Sequence, residues 1–256
     1  MILKGGIMGK MGYGYGSECH LLRWMGRHRN SFDKAVSLII HLAGNDKRIK
    51  WIDFGFNNKI SKWFDSEPTG LDFLKDENTK KRWEWPKSGT QQNWDGVGFI
   101  ESMNSPTQEL SKDIIMLEAK AHVDEIYSSC QAGITSLKKI KDIFRKTAIA
   151  LNIPNFDKVE DSWLHKYYQT ANRLAIYNYL KVSGYNPHLV FLYFINDHHK
   201  GKTCPSQVSE WENVLSIQKQ DMGIDEVFIN ERVYNLFLDV KSDLKCWTSS
   251  SVEFSL

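Results

Sequence analysis

Two apolar rhythms alternate along the 256-residue chain. Behind Ser17, a residue suited to capping a helix start, Leu21, Leu22 and Met25 recur at helical spacing. A second helical stripe over 31–43 runs through Phe32, Ala35, Val36, Ile39, Ile40 and Ala43. From 49 to 56 the pattern turns to strand-like alternation. Residues 65–92, with Pro68, Pro86 and two glycines, are polar and irregular and read as a connection holding one helical turn. Strands over 93–100 and 113–121 follow, joined through Asn104, Ser105 and Pro106 as a hairpin. The spacing then predicts a basic helix over 134–151 and a long helix over 161–182, closed by Ser183-Gly184. The stretch 188–195 (HLVFLYFI) is the most continuously apolar in the chain, as expected of a strand buried on both faces. A helix over 206–222 and a last strand over 233–240 complete the order, with no internal repeat and no low-complexity linker. These elements make an α/β protein, a mixed sheet with helices on both faces.

Composition narrows the classes. Hydrophobic residues at 41% and charged residues at 25% are ordinary globular usage and exclude a disordered or collagen-like chain. Aromatics at 12%, with nine Trp, favour a sheet-containing core. Thirty-three Lys+Arg against 31 Asp+Glu leave +2, so any nucleic-acid site has to be a local patch. The apolar runs fall far below the ~18–20 residues of a membrane helix, and no continuous apolar stretch follows the N-terminal charge. The expected location is therefore cytoplasmic, with no membrane partner. Cys19, Cys130, Cys204 and Cys246 lie far apart and read as reduced thiols. Residues 1–16 carry six glycines but fail the phosphate-loop pattern, because Met11 follows Gly9-Lys10, and they read as a flexible arm. The whole of 1–256 is expected to form one domain.

The sharpest constellation of polar residues is Asp95 on one strand and Glu118-Ala119-Lys120 on the next. Residues two apart on a strand share a face, so Glu118 and Lys120 project together while Leu117 and Ala119 face the other way. Aligned with Asp95, they put two carboxylates and an ammonium in one spot. Two carboxylates suit Mg²⁺, which keeps several waters and binds phosphates, and a neighbouring lysine orients or deprotonates water and offsets charge on phosphorus. Acid-x-Lys triplets also occur at Asp239-Val240-Lys241 and Asp243-Leu244-Lys245; the apolar lead-in Ile114 to Leu117 and the partner Asp95 distinguish Glu118. The alternative is an edge strand with a solvated polar face.

Asp95 followed by Glu118-Ala119-Lys120, in a helix–strand–hairpin–helix–strand order, resembles the PD-(D/E)XK nuclease superfamily, in the branch of phage-type and recombination exonucleases. The resemblance covers roughly residues 17–196 and implies a restriction-endonuclease-like fold, an αβββαβ core with a helical N-terminal elaboration; 197–256 would be an added helix and strand. It implies Mg²⁺-dependent hydrolysis of phosphodiester bonds, with Mn²⁺ as the substitute ion and DNA preferred over RNA. Asp95 and Glu118 would be metal ligands, the Ala119 carbonyl a third, and Lys120 the catalytic lysine. Glu18 resembles the acid in the first helix that adds a ligand, and equally serves as a first-turn acid favourable to the helix dipole. Gln169 resembles the branch's glutamine, and equally suits a solvated helix position. Trp94 stands where the family name has proline, and Arg173 stands one turn after Gln169 where a tyrosine is usual.

His122 shares the strand face of Glu118 and Lys120, with a packed strand histidine as its plainer reading. His198, His199 and Cys204 suggest zinc but lack a second ligand pair nearby, and His165 reads as packing or surface. Residues 1–30 and 134–147 each carry a local +4, and Trp83 and Trp85, beside Lys80, Lys81 and Arg82, either stack on bases or pack against the sheet. The rival to an enzyme is a catalytically inactive nucleic-acid-binding or complex-forming protein with the same fold; a homodimer is left open.

Overall fold

The computed structural model describes residues 15–44, 46–52, 67–87, 91–104 and 111–241, together with the backbone of 245–248 and 253–255. The expected arm over 1–16 and the second half of the 49–56 strand lie almost wholly outside the described residues. In chain order the elements are α1 (Ser17–Gly26), α2 (Arg29–Ile39), β1 (Lys47–Trp51), α3 (Glu77–Arg82), β2 (Gly96–Ser102) and β3 (Asp113–Lys120). After a 3₁₀ turn over Val123–Ile126 come α4 (Ile134–Ala150), α5 (Phe156–Asp161), a π-helical turn over Ser162–Lys166 and α6 (Tyr168–Val182). The chain finishes with β4 (Asn186–Ile195), α7 (Val208–Met222), α8 (Asp225–Asn230), β5 (Val233–Asp239), β6 (Lys245–Thr248) and β7 (Glu253–Ser255).

The strands form one mixed sheet in the order β1-β2-β3-β4-β5-β6-β7. β1, β2 and β3 pair antiparallel, β3, β4 and β5 pair parallel, and β6 and β7 add antiparallel strands. Period-2 alternation divides β3 between two cores. Ile115, Leu117 and Ala119 pack with α1 and α2, while Ile114 and Met116 pack with α4 and α6. β4, paired on both edges and covered on both faces, is buried from Pro187 to Ile195, which explains its unbroken apolar sequence.

Three expectations need correction. The strand over 233–240 is not the last, since β6 and β7 extend the sheet beyond it. The helix over 161–182 is not continuous: Tyr167 leaves helical geometry at φ −131° and pairs with Ser128 as an isolated bridge, between the π-helical turn and α6. Asp95 sits not within a strand but at the lead-in to β2. The Ser183-Gly184 stop is as expected, with Gly184 at φ +84°, a left-handed conformation that favours glycine.

Candidate functional site

The register of the hairpin builds the site. Gly96 faces Leu117 across the antiparallel pair, so Asp95 lies opposite Glu118 at the carboxyl end of β3. The Ala119 N–H donates to Asp95 Oδ2 at 2.6 Å and holds that carboxyl against the strand. Glu118 and Lys120 project to the α6 side, opposite Leu117 and Ala119, as period-2 geometry requires.

The segment leading into Asp95 is fixed independently. Trp94 is fully buried; its N–H donates to the Pro68 carbonyl and its Nε1 to the Gly70 carbonyl. Gly70, at φ +53°, donates its own N–H to the Gln92 carbonyl at 2.6 Å.

α6 supplies the other wall. The break at Tyr167 lets Ser128 dock: its carbonyl accepts from Tyr168 N–H and its hydroxyl from Gln169 N–H. From that start, Gln169, Asn172 and Arg173 fall on the helix face turned to β3. Lys120 Nζ donates to Glu118 Oε1 at 2.5 Å and to Gln169 Oε1 at 3.2 Å. Arg173 grips Glu118 Oε2 with Nε at 2.7 Å and Nη2 at 2.6 Å, donates from Nη1 to Asn172 Oδ1, and lies over the Trp94 ring. Asp95, Glu118, Lys120, Gln169, Asn172 and Arg173 line a cleft of about 490 Å³, whose walls also include Glu67, Trp85, Gln92, Ser128 and Tyr168.

The electrostatics are lopsided. Burial raises Asp95, and the neighbouring Glu118 carboxylate raises it further, to a pKa of about 7 in spite of Lys120, Ala119 N–H and Arg173. Burial also works against ionised Glu118, but Arg173 and Lys120 together outweigh it and hold that carboxyl below its ordinary value. Burial opposes the Lys120 charge as well; Glu118 and Asp95 reverse that and hold the ammonium protonated above its usual range. Glu118 takes both cations, and Asp95 is left with a backbone N–H.

Of the residues singled out in the sequence, Asp95, Glu118, Ala119, Lys120 and Gln169 come together in this cleft. Glu18 does not: α1 turns it to solvent and brings Ser17 to the cleft wall instead. His122 lies beyond the end of β3 and packs edge-on to His199 at 5.3 Å, away from the cleft lining. Among the described residues no group of three His, Cys, Asp or Glu side chains is arranged to hold a metal, so the His198–His199–Cys204 suggestion finds no partner set. Trp83 and Trp85 stack on each other, with Trp85 only 5% exposed, which is the packing alternative. His165 is half-exposed. In the basic helix, now α4, Lys141 and Arg145 pair with Glu160, and Lys146 pairs with Glu84. Cys19, Cys130 and Cys204 form no disulfide.

Sequence reading missed Arg173 as a partner of Glu118, although its position four residues after Gln169 puts both on one helix face. Glu67 and Gln92 had no such signal, because irregular backbone carries no period. A dication fits the carboxylates in charge: Mg²⁺ needs only one or two, and Asp95 is raised first by burial and then by the charge of Glu118, both of which a bound cation would offset. No helix among the described residues is long and apolar enough to cross a membrane. Compared with known proteins, the chain matches no protein family, no curated protein and no solved structure.

Proposed function

We propose that the chain is a metal-dependent nuclease that hydrolyses phosphodiester bonds, with DNA as the preferred substrate, on a restriction-endonuclease-like core. The observation that carries this reading is the convergence of Asp95, Glu118, Lys120 and Gln169 at one cleft, with the Glu118 carboxylate close enough to raise Asp95. The order α1, β1–β3, α4–α6, β4, with β3 and β4 parallel, supports the fold assignment.

Asp95 and Glu118, with the Ala119 carbonyl, would hold Mg²⁺. Bound there, the ion would supply a polarised phosphoryl oxygen and an acidified water. Lys120, kept protonated by Glu118 and Asp95, acts as a donor that orients water and offsets charge on phosphorus rather than as a base. Gln169 accepts from Lys120 and fixes where that ammonium points. Across Trp85, which both clefts share, a second groove of about 740 Å³ presents Lys81, Lys87, Lys139 and Lys146 against Glu84 and Asp142, an excess of positive charge suited to a phosphate backbone. The rival, a nucleic-acid-binding protein without turnover, draws its support from Arg173, which occupies Glu118 with two donors and competes with a metal for it.

The deciding experiment is cleavage of supercoiled plasmid, linear duplex, single-stranded DNA and RNA with Mg²⁺, Mn²⁺ or chelator, by the parent, Asp95→Asn and Lys120→Met. Cleavage by the parent that chelator abolishes and each substitution lowers about 10³-fold or more is the expected result. A folded parent that cleaves nothing, and takes up no Mg²⁺ in calorimetry, would leave the non-catalytic reading.

A further inference from the structure

Gln92 has no part in the chemistry proposed above, yet it is the least satisfied polar side chain of the cleft. It stands three residues before Asp95, lines the same cleft and is 5% exposed. Among the described residues, neither its Nε2 nor its Oε1 has a hydrogen-bond partner. The surrounding amides are occupied: Gln91 donates to the Pro86 carbonyl, Asn93 Oδ1 accepts from Thr69, Gln169 from Lys120 and Asn172 from Arg173. The Gln92 backbone cannot turn to relieve the side chain, because its carbonyl is held by Gly70 N–H and the next residue is bridged to Thr69. A buried donor and acceptor left together without partners cost stability, whereas an apolar side chain of similar size would not. Such a conflict with folding is expected where a ligand supplies what the protein withholds.

Resting on the nucleic-acid reading of the cleft, we propose that Gln92 is its specificity-determining residue and reads the edge of an adenine. Phosphate oxygens only accept, so they satisfy one end of the amide and leave the other bare. A carboxamide is satisfied as a unit by a group that sets an acceptor beside a donor. In a duplex, where the pairing edges are occupied, adenine still does so with N7 and its N6 amino group, whereas the same edge of guanine presents two acceptors. The pairing holds for either orientation of the amide within the cleft, since the donor and acceptor remain side by side.

The test is binding in EDTA, where metal-dependent turnover is absent, of labelled A·T-only and G·C-only duplexes of equal length, with AMP as a competitor, to the parent, Gln92→Leu and Gln92→Met. The parent is expected to favour the A·T duplex about tenfold or more, the range of one good bidentate base contact. Both variants are expected to bind the two duplexes within about twofold of one another, to keep the parent's affinity for the G·C duplex, and to melt at a temperature no lower than the parent's. Displacement by AMP alone, lost in both variants, would assign the same edge recognition to a free nucleotide. A parent that binds both duplexes equally, variants that keep the preference, or no binding of any probe would overturn the assignment. Failure of cleavage with the adenine preference intact would sink the nuclease reading and leave this one standing.

Discussion

The cleft and the clasp between α1 and β4 both bury acids against bases, and they use them differently. At the clasp His20 Nε2 lies 2.7 Å from Asp197 Oδ1, while the Gly16 N–H donates to Oδ2. Burial works against ionised Asp197, but His20 and the N–H groups of Gly16 and His198 outweigh it and hold the carboxyl low. Every acceptor there has a donor, and the pair ties residue 20 to residue 197. In the cleft, two carboxylates meet two cations, yet Lys120 and Arg173 both go to Glu118, and Asp95 rises to about 7. Equal numbers of charges therefore do not make equal sites. The clasp closes on itself, whereas the cleft keeps one member short of a partner, a pattern that functional sites favour.

The largest effect should come from breaking the Glu118 side. Arg173→Met leaves a fully buried carboxylate with Lys120 alone and is expected to cost about 3–5 kcal/mol in denaturant unfolding. A loss below about 1 kcal/mol would mean that Arg173 is not what keeps Glu118 ionised. At the clasp, His20→Phe preserves an aromatic ring beside Phe194 and removes the donor to Asp197, at an expected cost of about 2 kcal/mol. The activity proposed for the cleft should stay within about threefold of the parent, and a larger loss would join the clasp to the chemistry.

The smallest effect has the opposite sign. Asp95 has its folded pKa raised from 3.8 to about 7, so the stability tied to it is full below pH 4 and is lost as pH rises toward 7. Asp95→Asn removes that loss. The variant should gain on the parent from pH 5 to 8, by about 1 kcal/mol, since the open cleft lets solvent screen part of the ~1.4 kcal/mol per pKa unit. Equal melting temperatures across that range would show Asp95 to be an ordinary solvated carboxylate.

What could be read from the chain followed from how local the causes were. Strand period placed Glu118 and Lys120 on one face and the hairpin put Asp95 across from them, because register is set by neighbours in sequence. Glu18 shows the limit of composition. It is an acid in the first turn of α1, but the helix turns it outward, and the same rotation buries His20 and Leu21. The interruption at Tyr167 had no Gly or Pro to announce it; its partner is Ser128, some forty residues earlier, and only tertiary packing creates that bridge. Gln92 and Glu67 enter the cleft from irregular backbone held by Gly70 and Trp94, contacts that no periodicity encodes.

The sheet is laid down in the order of the chain, each strand beside the one made before it. A growing polypeptide can therefore extend this sheet from one edge to the other, with the longest crossover of the core being the helical stretch from β3 to β4. The long crossovers that join β1 to β2, β3 to β4 and β4 to β5 raise the loop-closure cost, and the parallel pairs are the slow ones to form. Every residue of the acid cleft, Arg173 included, has been synthesised before β4 begins, so β4 is the strand that locks α6 and the cleft over the first half of the sheet. Phe191 of β4 then comes to lie opposite Glu118, so the apolar strand that completes the core also completes the enclosure of that charge.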